Sequence, residues 1–258
     1  MLASLPSAVR EPADGTRHPQ QPEFPVNAAT DLITDAPAPW QLKGRGYICL
    51  LRAPQELLDR QSFVPPSLLG KRGRAPYALM MFVDYSESPV GPYHELLFIP
   101  GSFPFEDGRK HQSISRIFVS SMDSVVNGQR NWGIPKDVAQ FDVRYRDNGL
   151  DRVRVARNGK PFAELDFKSW PIPLPFSTAL LPGAMHTLGQ HADGKAFIYR
   201  PTASGWVRPA SLRRSWIDPF EFPDITRAKP LLTVEVSSFN MRFPESAILP
   251  LRPGRSTD

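Results

Sequence analysis

Residues 140–169 read "QFDVRYRDNGLDRVRVARNGKPFAELDFKS", and this stretch leaves the chain little freedom. Phe141, Val143 and Tyr145 alternate with Asp142, Arg144 and Arg146. Val153 and Val155 alternate with Arg152, Arg154 and Ala156, and Ala163, Leu165 and Phe167 alternate with Glu164 and Asp166. Successive side chains on a strand point to opposite faces, so a period of two calls for strands with one buried and one solvated side. The breaks are Asp147-Asn148-Gly149 and Arg157-Asn158-Gly159-Lys160, and Asn-Gly is the strongest short hairpin signal. The segment therefore predicts a three-stranded antiparallel meander. Its arginines lack interleaved aromatic rings or a nucleic-acid-binding motif, so they are read as a solvated face.

The rest of the chain carries shorter versions of the same signals. Tyr47 to Leu51 reads as a strand ended by Pro54, and "PQELLDRQ" as a short helix with Leu57 and Leu58 on one side. "YALMMFVDYSES" and "YHELLFIPGSF" are apolar runs separated by a "PVGP" turn, which predicts paired strands. "SISRIFVSS" reads as a strand and "MDSVVNGQRNW" as a helix from near Asp123. "KAFIYRP", "GWVRP" and "LLTVEVSSFNMRF" read as strands, and "PASLRRSW" as a short helix. The 29 prolines among 258 residues are about twice ordinary usage and are spread throughout, which disfavours long helices. Residues 1–36 are polar and weakly patterned and are read as a flexible N-terminal arm. Residues 37–258 are read as a single, mostly antiparallel β domain with a few short helices, an α+β protein.

Composition narrows the class. A formal charge of +5 and a pI near 9.5 bear on solubility and steering, not on fold. The single cysteine, Cys49, excludes an intramolecular disulfide framework and a thiolate metal cage. The N-terminus has no apolar core of signal-peptide length, and no run approaches ~18 apolar residues, so a soluble cytoplasmic protein is expected. The motifs of serine hydrolases, zinc proteases, P-loops and dinucleotide folds are absent. The two histidines of "HTLGQH" are spaced by five residues and do not share a helix face, so neither a metal nor another cofactor is expected.

One stretch points to chemistry. In "NGQRNWGIPKDVAQF", residues 127–141, Lys136 follows the uncharged segment Trp132-Gly133-Ile134-Pro135. A lysine becomes a nucleophile when a dry pocket or a second cation disfavours its ammonium form. Trp132, Ile134 and Pro135 could supply that dryness. From these residues alone, a surface or scaffolding lysine is the commoner outcome.

"GQRNWGIPK", with "GPYHELLFIPG" and "WQLKGRGY" before it, resembles the acetoacetate decarboxylase-like superfamily from about Trp40 to "FPESAILP". The family's Gly-Arg-Glu…Pro-Lys signature corresponds to Gly128-Gln129-Arg130…Pro135-Lys136. The resemblance implies that Lys136 is the Schiff-base lysine, Glu95 the active-site glutamate and Arg45 the early active-site arginine. It also implies a large sheet curled into a cone-like barrel with a central pocket, in which Trp132, Arg130, Met80 and Tyr93 are expected. Three departures accompany it: Asp137 stands where the decarboxylases have a second lysine, Arg130 replaces an acid, and Met80 falls near another acid position. On this reading Lys136 condenses with a small oxo acid or ketone, Glu95 moves protons, and Arg45 holds Glu95 ionised or takes a substrate carboxylate. Arg130 is then the candidate replacement cation. Decarboxylation of a β-keto acid is the implied lyase reaction. Aldol condensation with dehydration, cyclisation of an oxo compound, and non-catalytic binding of a small ligand remain open. A homo-oligomer is expected, with neither nucleic acid nor membrane as partner.

Overall fold

In the computed structural model, residues 33–146 and 150–251 are described, and they contain sixteen strands and two α-helices. The strands are β1 (Trp40–Arg52), β2 (Tyr77–Glu87), β3 (Tyr93–Ile99), β4 (Ser102–Pro104), β5 (Lys110–Gln112), β6 (Arg116–Val119), β7 (Lys136–Val138) and β8 (Gln140–Arg144). They continue as β9 (Leu150–Arg157), β10 (Lys160–Ser169), β11 (Leu174–Ser177), β12 (Leu188–Ala192), β13 (Lys195–Tyr199), β14 (Thr202–Ile217), β15 (Lys229–Phe243) and β16 (Ala247–Pro250). The helices are α1 (Gln55–Arg60) and α2 (Met122–Trp132). No helix of the described residues is long and apolar enough to cross a membrane.

The alternating segment forms the expected meander. β8 pairs antiparallel with β9 and β9 with β10, so that Val143 faces Val153 and Val153 faces Leu165. Asn158 and Gly159 both take positive φ, the requirement of a two-residue hairpin turn. The other expected turn, 147–149, lies outside the described residues. On the wet face Arg144 pairs with Asp142, Arg152 with Asp166 and Arg154 with Glu164. Every one of these arginines is answered by an acid.

The strand order of the large sheet is β7-β6-β3-β2-β1-β15-β14-β10-β9-β8, with β11 added beside β14. Its two ends, β7 and β8, are consecutive in the chain, separated only by Ala139. One residue spans a few ångströms, so the sheet has to curl until its first and last strands meet. No ladder joins them; the sheet is curled and open. The inside of the curl holds a core in which Phe118 meets Phe162 with rings 4.5 Å apart and Tyr47 stacks on Phe167 at 4.1 Å. A second core lies on the other face of β1, β2, β3 and β6, covered by α2 and by the smaller sheet β16-β13-β12-β5-β4.

The segment "PASLRRSW" departs from the expected helix and lies inside β14. Its period is obscured by a register shift between Asp166 and Phe167, which pair with Arg214 and Leu212, and pairing with β10 and β15 overrides local propensity. Residues 1–32 of the expected arm lie outside the described residues. Its last four run along α2, where Thr34 N donates to Asp123, Ala36 N donates to Asn127 Oδ1 at 2.9 Å and Asp35 pairs with Arg130.

Candidate active site

Lys136 owes its position to the β6–α2–β7 unit. Ser121 caps α2 by accepting from Ser124 N, and Gly133 ends the helix in the left-handed conformation at φ 63°. Ile134 N then reaches back to the Gly128 carbonyl, and the chain enters β7 parallel to β6 with Lys136 opposite Ile117. Lys136 runs back beneath the helix against Gly128. A Cβ at residue 128 would stand 2.7 Å from Lys136 Cδ and 2.8 Å from Cε, so glycine is what lets the lysine pass.

The ammonium meets three groups. Lys136 Nζ donates to Glu95 Oε2 at 3.1 Å and to Ser124 Oγ at 2.9 Å, and lies 5.3 Å from the Tyr93 ring centre. Glu95, on β3, accepts at its other oxygen from the Tyr85 hydroxyl at 3.2 Å. Lys136 is 4% exposed and Glu95 5%, so this is an ion pair out of water. Burial pushes the lysine toward losing its proton, but the Glu95 carboxylate and Tyr93 together outweigh it and hold the ammonium above its ordinary value. Burial pushes Tyr93 up to about 12 despite the nearby lysine, and burial with the Glu95 charge carries Tyr85 well above its usual range. Both therefore stay neutral phenols, able to donate.

Lys136, Glu95, Tyr85 and Tyr93 line one wall of a cavity of about 240 Å³ in the second core. Trp40, Trp132, Phe239 and Phe243 supply much of the remaining wall. Trp132 is packed edge-on against Trp40 at 5.1 Å and against Phe243 at 5.0 Å. Gln112, Thr178 and His186 are further polar residues of the wall, and His186 Nδ1 is buried without a hydrogen-bond partner among the described residues.

Of the residues singled out in the sequence, the structure brings Lys136, Glu95, Trp132 and Tyr93 together at this cavity. Arg45, Met80 and Arg130 do not. On β1, Leu42, Gly46 and Ile48 face the cavity, which puts Arg45 on the opposite face. There Arg45 Nη2 binds Glu235 Oε1 at 2.9 Å and Asp151 Oδ2 at 3.4 Å, with its guanidinium 3.8 Å over the Tyr145 ring. Asp151 also accepts from the Tyr47 hydroxyl at 2.7 Å. The same parity turns Met80 into the core inside the curl and presents Leu79 and Met81 to the cavity instead. Arg130 is on the exposed side of α2, paired with Asp35. Asp137 points away from Lys136 and binds Arg116 Nη1 at 2.8 Å. Sequence reasoning missed Tyr85 and Ser124. Tyr85 follows Met81 and Val83 at strand period, and Ser124 precedes Gly128 by four residues, one helical turn.

Compared with known proteins, the chain matches the family model described as acetoacetate decarboxylase (ADC) over residues 42–180, more than half its length. No curated protein sequence matches it. Solved structures share its fold. An acetoacetate decarboxylase from Legionella pneumophila subsp. pneumophila str. Philadelphia 1 is 16% identical with a TM-score of 0.63, over 88% of this chain and 93% of its own. The enduracididine biosynthesis enzyme MppR, complexed with the condensation product of pyruvate and imidazole 4-carboxaldehyde, is 16% identical with a TM-score of 0.58, over 92% and 98%. An acetoacetate decarboxylase-like enzyme from Sphingomonas wittichii RW1 is 12% identical with a TM-score of 0.60, over 84% and 95%.

Proposed function

This chain belongs to the acetoacetate decarboxylase family, and from that premise we propose that it is a carbon–carbon lyase or condensing enzyme working through a Schiff base on Lys136. The observation that carries this reading is the buried pair itself: Lys136 Nζ and Glu95 Oε2 stand 3.1 Å apart at the wall of an apolar cavity. An amine sequestered with a single carboxylate has its proton acceptor within hydrogen-bond reach.

In the empty site the pair is ionic. A carbonyl compound filling the cavity removes remaining water, which disfavours two charges relative to two neutral groups. The proton then moves from Lys136 to Glu95, leaving a neutral amine. Nζ attacks the carbonyl carbon, and the carbinolamine loses water as Glu95 returns its proton. Amine, carboxylic acid and carbonyl become iminium, carboxylate and water, with atoms and charge balanced. The iminium nitrogen accepts the electron pair released when an adjacent carbon–carbon or carbon–hydrogen bond breaks. Tyr85 and Tyr93, neutral phenols beside the pair, supply hydrogen bonds to the Glu95 carboxylate and to the carbinolamine oxygen.

Borohydride trapping tests this. The protein is incubated with acetone or acetylacetone, reduced, digested and searched by mass spectrometry for an adduct on the Lys136 peptide. An adduct there, absent from Lys136→Ala, supports the reading. A folded protein that gives no adduct with either ketone sinks it and leaves the cavity as a binding site.

A further inference from the structure

Resting on the amine reading above, we infer that the carbonyl substrate is uncharged and largely apolar, and is not an oxo acid. Lys136 is the one lysine or arginine among the described residues that line the cavity. Its charge is already answered by Glu95 at 3.1 Å. The two arginines that could have met a substrate carboxylate are engaged elsewhere: Arg45 with Glu235 and Asp151 on the other face of β1, and Arg130 with Asp35 on the outside of α2.

Charge counting then decides the ligand class. Before reaction the site holds an ammonium and a carboxylate; after Schiff-base formation it holds an iminium and a carboxylate. Both sums are zero. A substrate carboxylate seated beside the pair, away from the open mouth at Met185, would add one unanswered negative charge among apolar walls, where an unpaired ion is strongly disfavoured. An apolar body fits instead. The cavity of about 240 Å³ exceeds the ~150 Å³ that accommodates benzene in an engineered protein cavity, and its aromatic walls suit rings or branched chains. His186, Gln112 and Thr178 offer hydrogen bonds to a hydroxyl or second carbonyl on the same molecule.

The substrate class sets the reaction class. Without a carboxylate on the substrate no carbon dioxide is lost. Glu95, as carboxylate, takes a proton from the carbon beside the iminium; the C–H electrons form the enamine double bond and the C=N electrons return to nitrogen. The enamine carbon then bonds to the carbon of a second carbonyl as the C=N bond re-forms. Glu95 returns its proton to the new alkoxide, and water hydrolyses the iminium to free the Lys136 amine; the same steps run backwards split such a product. Both directions are aldol-type.

The test uses two isosteres, methyl isohexyl ketone and γ-acetylbutyrate, which differ in ending with an isopropyl group or a carboxylate. Binding is measured by calorimetry and adduct formation by borohydride trapping, on the full chain and on His186→Gln, which removes the other wall side chain able to carry positive charge. The ketone is expected to half-saturate the site at a concentration roughly a hundredfold below the acid, in both proteins. Equal or better binding or trapping of the acid overturns the inference, as does failure of both compounds to bind. Ketone binding without any trapped adduct supports the ligand class and refutes the amine chemistry, so the two failures are distinct.

Discussion

Replacing Gly128 by alanine isolates the fit between helix and lysine. The added Cβ would stand 2.7 Å from Lys136 Cδ, 2.8 Å from Cε and 3.4 Å from Nζ. Carbon atoms in contact rest at about 3.5–4.0 Å, so the lysine stem has to yield by roughly 1 Å. Its hydrogen bonds, 2.9 Å to Ser124 and 3.1 Å to Glu95, lengthen past useful range if Nζ follows the stem. A misplacement of about 1 Å in a reacting group costs on the order of 10²-fold in rate. Stability changes little by comparison. Alanine gains up to ~1 kcal/mol over glycine inside a helix, while overpacking costs about 1–3 kcal/mol, a net loss of roughly 0–2 kcal/mol. The assay is the rate of borohydride-trapped adduct on Lys136, read beside the thermal midpoint. A folded Gly128→Ala protein that traps ketone at the unmodified rate would refute the argument that this glycine exists to seat the lysine.

Glu95→Gln removes the group that does most to hold the Lys136 proton against burial. The pH midpoint of trapping should fall below that of the unmodified protein while its maximal rate drops about 10²-fold or more. The raised ammonium also contributes stability that is complete below the ordinary lysine pKa of about 10.4 and is lost as pH rises through the folded value, so urea titrations in the alkaline range should show that loss only when Glu95 is present. Arg45→Met strips the nearer cation from Asp151 and Glu235, both nearly buried, and leaves Glu235 with Arg208 at 3.8 Å. Because Arg45 itself is about a third exposed, the expected loss is about 2–3 kcal/mol in urea denaturation, below the 3–5 kcal/mol of a fully buried pair, with Lys136 trapping in the remaining folded protein unchanged. A selective loss of trapping would instead put Arg45 in the chemistry. Cys49 is fully buried, and burial raises its thiol to about 11. Iodoacetamide near neutral pH should leave it unmodified in the native protein and alkylate it in urea, as mass spectrometry would report.

The meander was legible because its pattern alternates: Val153 and Val155 are buried, and Arg154 between them is not. Strands buried on both sides offer no such contrast. "GYICLL" and "YALMMFV" are apolar or small on both faces, since β1 and β2 separate two cores. That is why Arg45 and Met80 were each expected in the pocket and each lies one residue out of phase with it. Motif order locates a residue along the strand; only parity says which face it serves. Lys136 and Glu95, 41 residues apart, were brought together by resemblance alone, because no local periodicity encodes a contact between β3 and β7. The helix expected over "PASLRRSW" failed for the converse reason: a bulge shifts the phase of β14, and its pairing outweighs its propensity.

Ala139, between the two ends of the large sheet, also ties the far limb of the sheet to the strand that carries Lys136. The sheet is stitched by pairings distant in sequence, among them the bond from Arg45 to Glu235, 190 residues away. Such contacts form slowly, since a long loop must close before any of them is gained. β7 is the last strand at its end of the order, so Lys136 is placed by an element with a single sheet neighbour. Until β3, β6 and α2 have packed together, its amine is an ordinary solvated one. A chain severed between Glu95 and Lys136 would not keep half an active site; it would keep a lysine in water.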